Sequence, residues 1–182
     1  MGGGIRAWKG LIAEGIPGAG MTYFSPATRP EEMIALAWIL EDGASRFYES
    51  LTKTLDDQES KGLFQNLRRS EENHKTTLWE MFEEISGKAP APEFPDTVIS
   101  SEPRGDVMEG GMSISEALKW SEGKELKDIL ELSISLESNS YDLYLKMERK
   151  VNGRNAKQVF KTLSEEEKNH LEQLSSLFNK RL

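Results

Sequence analysis

Two copies of Glu-x-x-His carry the chemistry of this sequence. "RRSEENHKTT" sets Glu71 three residues before His74, and "SEEEKNHLEQ" sets Glu167 three residues before His170. The chain has only these two histidines. Residues three apart on a helix share a face, so each motif points an acid and an imidazole the same way. Both lie on the apolar stripe of an amphipathic segment, where carboxylates are out of place unless something neutralises them.

The two motifs belong to a longer repeat. "FQNLRRSEENHKTTL" and "FKTLSEEEKNHLEQL" both read Phe-x-x-Leu-x-x-x-Glu-x-x-His-x-x-x-Leu, at a constant offset of 96 residues. The same offset carries Leu40 onto Leu136, Glu41 onto Glu137, Phe47 onto Leu143 and Tyr48 onto Tyr144. Glu41 and Glu137 also stand on apolar stripes, so four carboxylates and two imidazoles are expected to meet inside the protein. Desolvating four carboxylates costs several kcal/mol each, roughly, without compensation. Two divalent cations would supply it, with two neutral imidazoles completing the set. One Glu from each of two helices plus Glu-x-x-His from each of two others is the donor pattern of a carboxylate-bridged dimetal bundle. Oxygen-rich donors with one imidazole per metal suit iron or manganese, alone or mixed, over a structural zinc.

Four helices must position these groups. Thr28 stands three residues before Glu31 as a capping box requires, and Pro30 suits a first turn. A 3.6-residue period then predicts a helix over about 30–55. A second is expected over 58–86, stopping at Gly87. Ser113 and Glu116 form a further capping box ahead of a short helix reaching Trp120. Long helices follow over about 124–151 and 155–180. Between the pairs lies a connection with Pro90, Pro92, Pro95 and Pro103 and no sustained period. It is the kind that crosses a bundle rather than turning back tightly. The expected fold is all-α: a four-helix bundle of two repeated hairpins joined by a long crossover, with helix 3 matching helix 1 and helix 4 matching helix 2.

Neighbouring polar residues read differently. Glu72, Glu165 and Glu166 lie off the stripe and are expected on a solvated face, as are Glu49 and Glu148. Tyr48 and Tyr144 lie two turns beyond Glu41 and Glu137. They are either plain core or hydroxyls that orient a carboxylate. Trp38, Trp79 and Trp120 are assigned to packing.

Composition excludes several classes. A net charge of -8 disfavours nucleic acid and anionic membrane as partners. The absence of cysteine removes thiolate catalysis, disulfides and iron–sulfur clusters. No apolar run reaches membrane-spanning length, and "MGGGIRAWKG" lacks the apolar core of a secretory signal, so a cytoplasmic location is expected. Residues 1–28 hold seven of the fifteen glycines and two of the seven prolines, without helical period. They form a segment apart from the domain at 29–182.

Through "LEDGASRFY", "FQNLRRSEENH", "LESNSYDLY" and "FKTLSEEEKNH" the chain resembles the rubrerythrin branch of the ferritin-like diiron proteins. The resemblance implies a ferritin-like fold and two irons per site. It makes Glu41 and Glu137 the terminal ligands, Glu71 and Glu167 the bridges, and gives each of His74 and His170 one iron. It further implies a diiron oxidoreductase that reduces hydrogen peroxide or dioxygen, with these six residues as its catalytic set. Two departures stand out. The additional carboxylate that rubrerythrins carry one turn after the third-helix ligand is Ser140 here, which brings the ligand count closer to bacterioferritin. The cysteine-ligated rubredoxin module is missing, so electrons are expected from an external donor protein or another part of a longer chain. "GGGIRAWKGLIAEG" resembles the closing segment of a rhodanese domain, implying a rhodanese–rubrerythrin fusion. The alternatives are an iron-storage protein of bacterioferritin type and a helical interaction module with a vestigial site. A homodimer is expected, and the long connection permits hairpins to be exchanged between its subunits.

Overall fold

The computed structural model describes residues 29–99 and 105–182. Thr28 and the rhodanese-like segment lie outside the described residues. Five α-helices run in chain order: α1 Pro30–Thr54, α2 Gln58–Ser86, α3 Ile114–Ser121, α4 Leu126–Lys150 and α5 Arg154–Lys180. A 3₁₀ turn, Glu109–Gly111, precedes α3. No strand occurs among the described residues, and the all-α expectation stands.

Local chemistry sets the helix ends. Pro30 opens α1, but the acid that reaches back is Glu32, not Glu31: its Oε2 accepts the Arg29 backbone N–H at 3.1 Å. The helix begins one residue later than a Thr28 cap would place it. Asp57 caps α2 by accepting the Ser60 N–H at 2.8 Å. Gly87 ends that helix in the left-handed region at φ 67°, a conformation that costs glycine nothing. Ser113 Oγ accepts the Glu116 N–H at 3.3 Å and starts α3 as expected.

The helices pair as two hairpins, α1 with α2 and α4 with α5, and the hairpins meet along α2 and α5. Hydrophobic burial is split into two clusters. One gathers Ile34, Leu40, Leu78, Leu143, Tyr144, Phe160 and Leu163. The other gathers Phe47, Tyr48, Leu51, Phe64, Leu67, Leu130, Leu136 and Leu174. Between them lie the buried polar residues Glu41, Glu71, His74, Glu137, Glu167 and His170. Along every long helix, apolar stripe gives way to polar layer and returns to apolar stripe.

The crossover is seated rather than loose. Phe94 makes edge contacts with Trp38, Trp79 and Phe82 at centroid distances of 5.8, 5.2 and 4.9 Å. Further on, the chain passes so close to α1 that a Cβ on Gly43 would stand 2.1 Å from the Val107 carbonyl oxygen. That neighbour is backbone and cannot swing away. Gly43→Ala should therefore cost roughly 1–3 kcal/mol through overpacking. Gly62→Ala, on α2 where nothing lies within 4 Å of the added methyl, should gain about 0.5–1 kcal/mol from lost unfolded-state entropy. Thermal unfolding of the two variants would show opposite shifts.

Candidate metal centre

The structure brings all six sequence-predicted residues into one buried layer. Glu41 comes from α1, Glu71 and His74 from α2, Glu137 from α4, and Glu167 and His170 from α5. One chain supplies the whole set. His74 Nδ1 lies 3.1 Å from Glu41 Oε2, 3.0 Å from Glu71 Oε2 and 3.2 Å from Glu167 Oε1. His170 Nδ1 lies 3.0 Å from Glu137 Oε2, 3.3 Å from Glu167 Oε2 and 3.5 Å from Glu71 Oε1. Glu71 and Glu167 each turn one oxygen toward either imidazole. That is the arrangement of two half-sites sharing two carboxylates. The imidazole planes stack at 22° with centroids 5.6 Å apart.

The tyrosines resolve in favour of orientation. Tyr48 on α1 donates its hydroxyl to Glu137 Oε1 on α4, and Tyr144 on α4 donates to Glu41 Oε1 on α1. Each hairpin thus fixes the outer carboxylate of the other, leaving that carboxylate's second oxygen facing the imidazole. Burial pushes the Tyr48 hydroxyl well above its usual range, and Glu137 and Glu71 add to this. It keeps its proton and acts as a donor.

Charge is badly placed for an interior without cations. Glu71 is raised well above the usual carboxylate range by burial, then by Glu167, Glu137 and Glu41. Glu137 is pushed up to about 7, chiefly by burial and by Glu167. Burial would raise Glu167 as well, but Glu137 and the two imidazoles beside it hold it at about 2. Burial disfavours the imidazolium of His170, yet Glu137, Glu167 and Glu71 overcome this and raise it to about 12. His74 is raised well above its usual range in the same way, with Glu41 the leading attraction.

A direct sign of fit is the state of the shared carboxylates. Both Glu71 oxygens and Glu167 Oε1 are buried with no aligned hydrogen-bond donor, although an imidazole nitrogen lies within 3.5 Å of each. Acceptors stranded this way are costly unless a cation takes their lone pairs. Glu41, Glu71, His74 and Glu167 offer donor atoms within 4.8 Å of one another, and so do Glu71, Glu137 and His170.

Residues 128–181 match the rubrerythrin family model. The rubrerythrin match spans α4 and α5 and includes Glu137, Glu167 and His170. The whole fold is similar to a Thermotoga maritima protein classed as ferritin-like and diiron-carboxylate, at 26% identity over 85% of this chain and 97% of that one, with a TM-score of 0.62. It is also similar in fold to a hypothetical protein from Pyrococcus furiosus, at 23% identity over 91% of this chain and 95% of that one, with a TM-score of 0.63. No curated protein matches the sequence. The rubrerythrin resemblance and the ferritin-like bundle expected from the sequence both stand, and the buried Glu/His cluster is a candidate metal site within that fold. No helix among the described residues is long and apolar enough to cross a membrane.

Two further acids stand close to this layer. Glu166 is not merely solvated: its Oε2 lies 2.7 Å from His74 Nε2, on the ring edge opposite the cluster. The imidazole in turn holds the Glu166 carboxyl below its usual range. The repeat places Ser70 at the equivalent position, so only one imidazole has a carboxylate behind it. The second acid, Glu109, escaped notice altogether. It lies in the crossover, where no periodicity marks a buried position, yet it is 3% exposed. The one available signal was an acid set between apolar Val107–Met108 and Gly110–Gly111. Glu165 and Glu49 are exposed or partly so, as expected, and Glu49 pairs with Lys53 at 2.9 Å.

A divalent cation entering this cluster competes with protons for the same donor atoms. His170, raised to about 12, has to release one to coordinate, and Glu137, at about 7, gives up another. Apparent affinity for a divalent cation should rise with pH through the neutral range, about tenfold per pH unit for each proton displaced. Calorimetric titration in buffers of different ionisation enthalpy would count those protons. Binding heats independent of buffer would contradict the scheme.

Proposed function

We propose that this protein is a diiron oxidoreductase that reduces hydrogen peroxide with electrons from an external donor. The observation that carries the reading is the pair of shared carboxylates, Glu71 and Glu167, each with one oxygen toward either imidazole and with lone pairs unclaimed. Glu41, Glu71, Glu167 and His74 would hold one metal; Glu137, Glu71, Glu167 and His170 would hold the other. Two irons bound there would supply the electrons of H₂O₂ + 2e⁻ + 2H⁺ → 2H₂O and bring both peroxide oxygens within reach of a cation.

The chain's own groups define the rest. Tyr48 and Tyr144 fix the rotation of Glu137 and Glu41, so that one oxygen of each stays turned inward. Glu166 lies against the outer edge of the His74 ring, its Oε2 2.7 Å from Nε2, and its charge favours a proton on that nitrogen, which leaves the Nδ1 lone pair facing the cluster. The apolar clusters on either side exclude water, which strengthens every electrostatic interaction in the layer. With no cysteine in this sequence, any thiolate-bound redox centre that feeds the site would lie on a separate donor or on another part of a longer chain. A homodimer with cytoplasmic residence is part of the same reading.

The test is to load the protein anaerobically with ferrous iron, remove the excess and count metal per chain. About two irons are expected. Addition of peroxide should then consume about one equivalent per pair and oxidise the iron. Glu71→Gln, which removes a shared carboxylate charge, should bind iron on the order of 10–100-fold more weakly or lose it. Near-zero iron in helical, folded protein would sink the reading. Tens of irons per chain after aerobic loading would point to storage instead.

A further inference from the structure

Among the described residues, Glu109 is the one buried acid that the six-residue set leaves without a task. It sits in the 3₁₀ turn Glu109–Gly111, which packs against α1 and α4, whereas the imidazoles enter from α2 and α5. Its Oε2 is buried and has no hydrogen-bond partner. Its strongest electrostatic neighbours are Glu41, Glu71 and Glu137, which together with burial raise it well above the usual carboxylate range. Among the leading influences on it, only its own backbone N–H favours the ionised form. A glutamate placed this way is unfavourable in an ion-free interior, so its position calls for a partner of positive charge.

The backbone around Glu109 is built to hold it there. Gly110 and Gly111 adopt φ of 72° and 73°, a left-handed pair that side chains resist. A Cβ on Gly110 would come within 2.6 Å of Asn139 Nδ2, and one on Gly43 would strike Val107 and Met108. Gly43 and Asn139 are equivalent positions in the 96-residue repeat, each two residues past an outer carboxylate, Glu41 or Glu137. The turn is therefore wedged between matching points of the two hairpins, above the cluster. Its ends are pinned as well: Met108 N–H bonds to Met112 O at 2.9 Å, and Asp106 accepts from Ser113 and Ser115 at 2.7 and 2.6 Å.

We propose that Glu109 is a fifth carboxylate ligand of the metal centre, delivered by the crossover from the α1–α4 side. The inference rests on the dimetal reading and deepens it. Glu109 is not among the residues whose donor atoms already lie within 4.8 Å of one another, so ligation takes rotation of its side chain while the turn stays seated. Four carboxylates balance two divalent cations; a fifth favours cations of higher charge and adds a coordination position that no helix provides.

Cobalt(II) is the probe, because its visible absorption weakens as its coordination number rises. Wild type and Glu109→Gln are titrated with Co²⁺ by calorimetry and absorption, and the ion-free proteins are compared by thermal unfolding. The variant should bind as many ions as wild type, but on the order of 10–100-fold more weakly and with a stronger visible band. Ion-free, it should unfold no earlier than wild type, since a neutral amide replaces a buried acid. Should Glu109→Gln fail to fold, Gly110→Ala, which keeps the acid but lifts it against Asn139, should show the same weakened binding. Identical affinity and spectrum in wild type and variant would overturn the role of Glu109 while leaving the dimetal centre intact. A wild-type protein that binds no Co²⁺ would overturn both.

Discussion

The structure depends on a layer of like charges in the middle of a helical bundle. Glu41, Glu71, Glu137 and Glu167 are buried within side-chain reach of one another, and attraction among helices has to overcome their repulsion. The hydrophobic surface that does so is divided, with one cluster on each side of the layer. Burial and the neighbouring carboxylates push Glu71 and Glu137 upward, and the same carboxylates raise both imidazoles, so the layer favours whatever brings positive charge into it. Cations that bind only the folded chain add their binding free energy to its stability. Fold and site are thus one problem: the bundle brings the acids together, and the neutralising charge allows the bundle to close.

The repeat gives this layer approximate twofold symmetry, and the departures from symmetry lie just outside it. Glu166 stands behind His74, and the matching residue behind His170 is Ser70. Where the first hairpin has Gly43, the second has Asn139, and the crossover turn fits against both. A carboxylate behind an imidazole raises its basicity as a ligand, so the two half-sites differ although their inner donors match. Inequivalence of this kind lets one position hold its metal more firmly than the other.

Much of this was legible in the sequence because helices translate spacing into direction. A period of 3.6 sets which residues share a face, and a repeat at constant offset shows which faces correspond. Glu41 and Glu137 could be identified that way although neither lies in a recognisable motif of its own. The tyrosine–carboxylate pairs were half legible: position two turns past a ligand gave the face, but not that each hydroxyl crosses to the other hairpin. Glu109 was not legible, because a crossover has no period and its burial is decided by glycines contacting residues about 30 and 65 positions away. Glu166 failed for a related reason. A position off the stripe of its own helix can still lie over a residue of the neighbouring helix, and single-helix periodicity carries no information about that neighbour.

The seam between α1 and α4 shows how such contacts outside the stripes matter. The α1–α2 and α4–α5 pairs are joined by extensive packing. Between α1 and α4 the Tyr48–Glu137 and Tyr144–Glu41 hydrogen bonds and the crossover turn resting on both helices add to the side chains that the two helices share in the hydrophobic clusters. Hydrogen bonds to an ionised carboxylate are roughly twice as strong as neutral ones, so Tyr48 holds its side of the seam most tightly with Glu137 ionised, a carboxyl that burial pushes up to about 7. A cation between the hairpins favours that state, and acid opposes it. The charge of the centre therefore governs how firmly the two hairpins are held together on this side, and the crossover turn, wedged at Gly43 and Asn139, follows whatever the seam does.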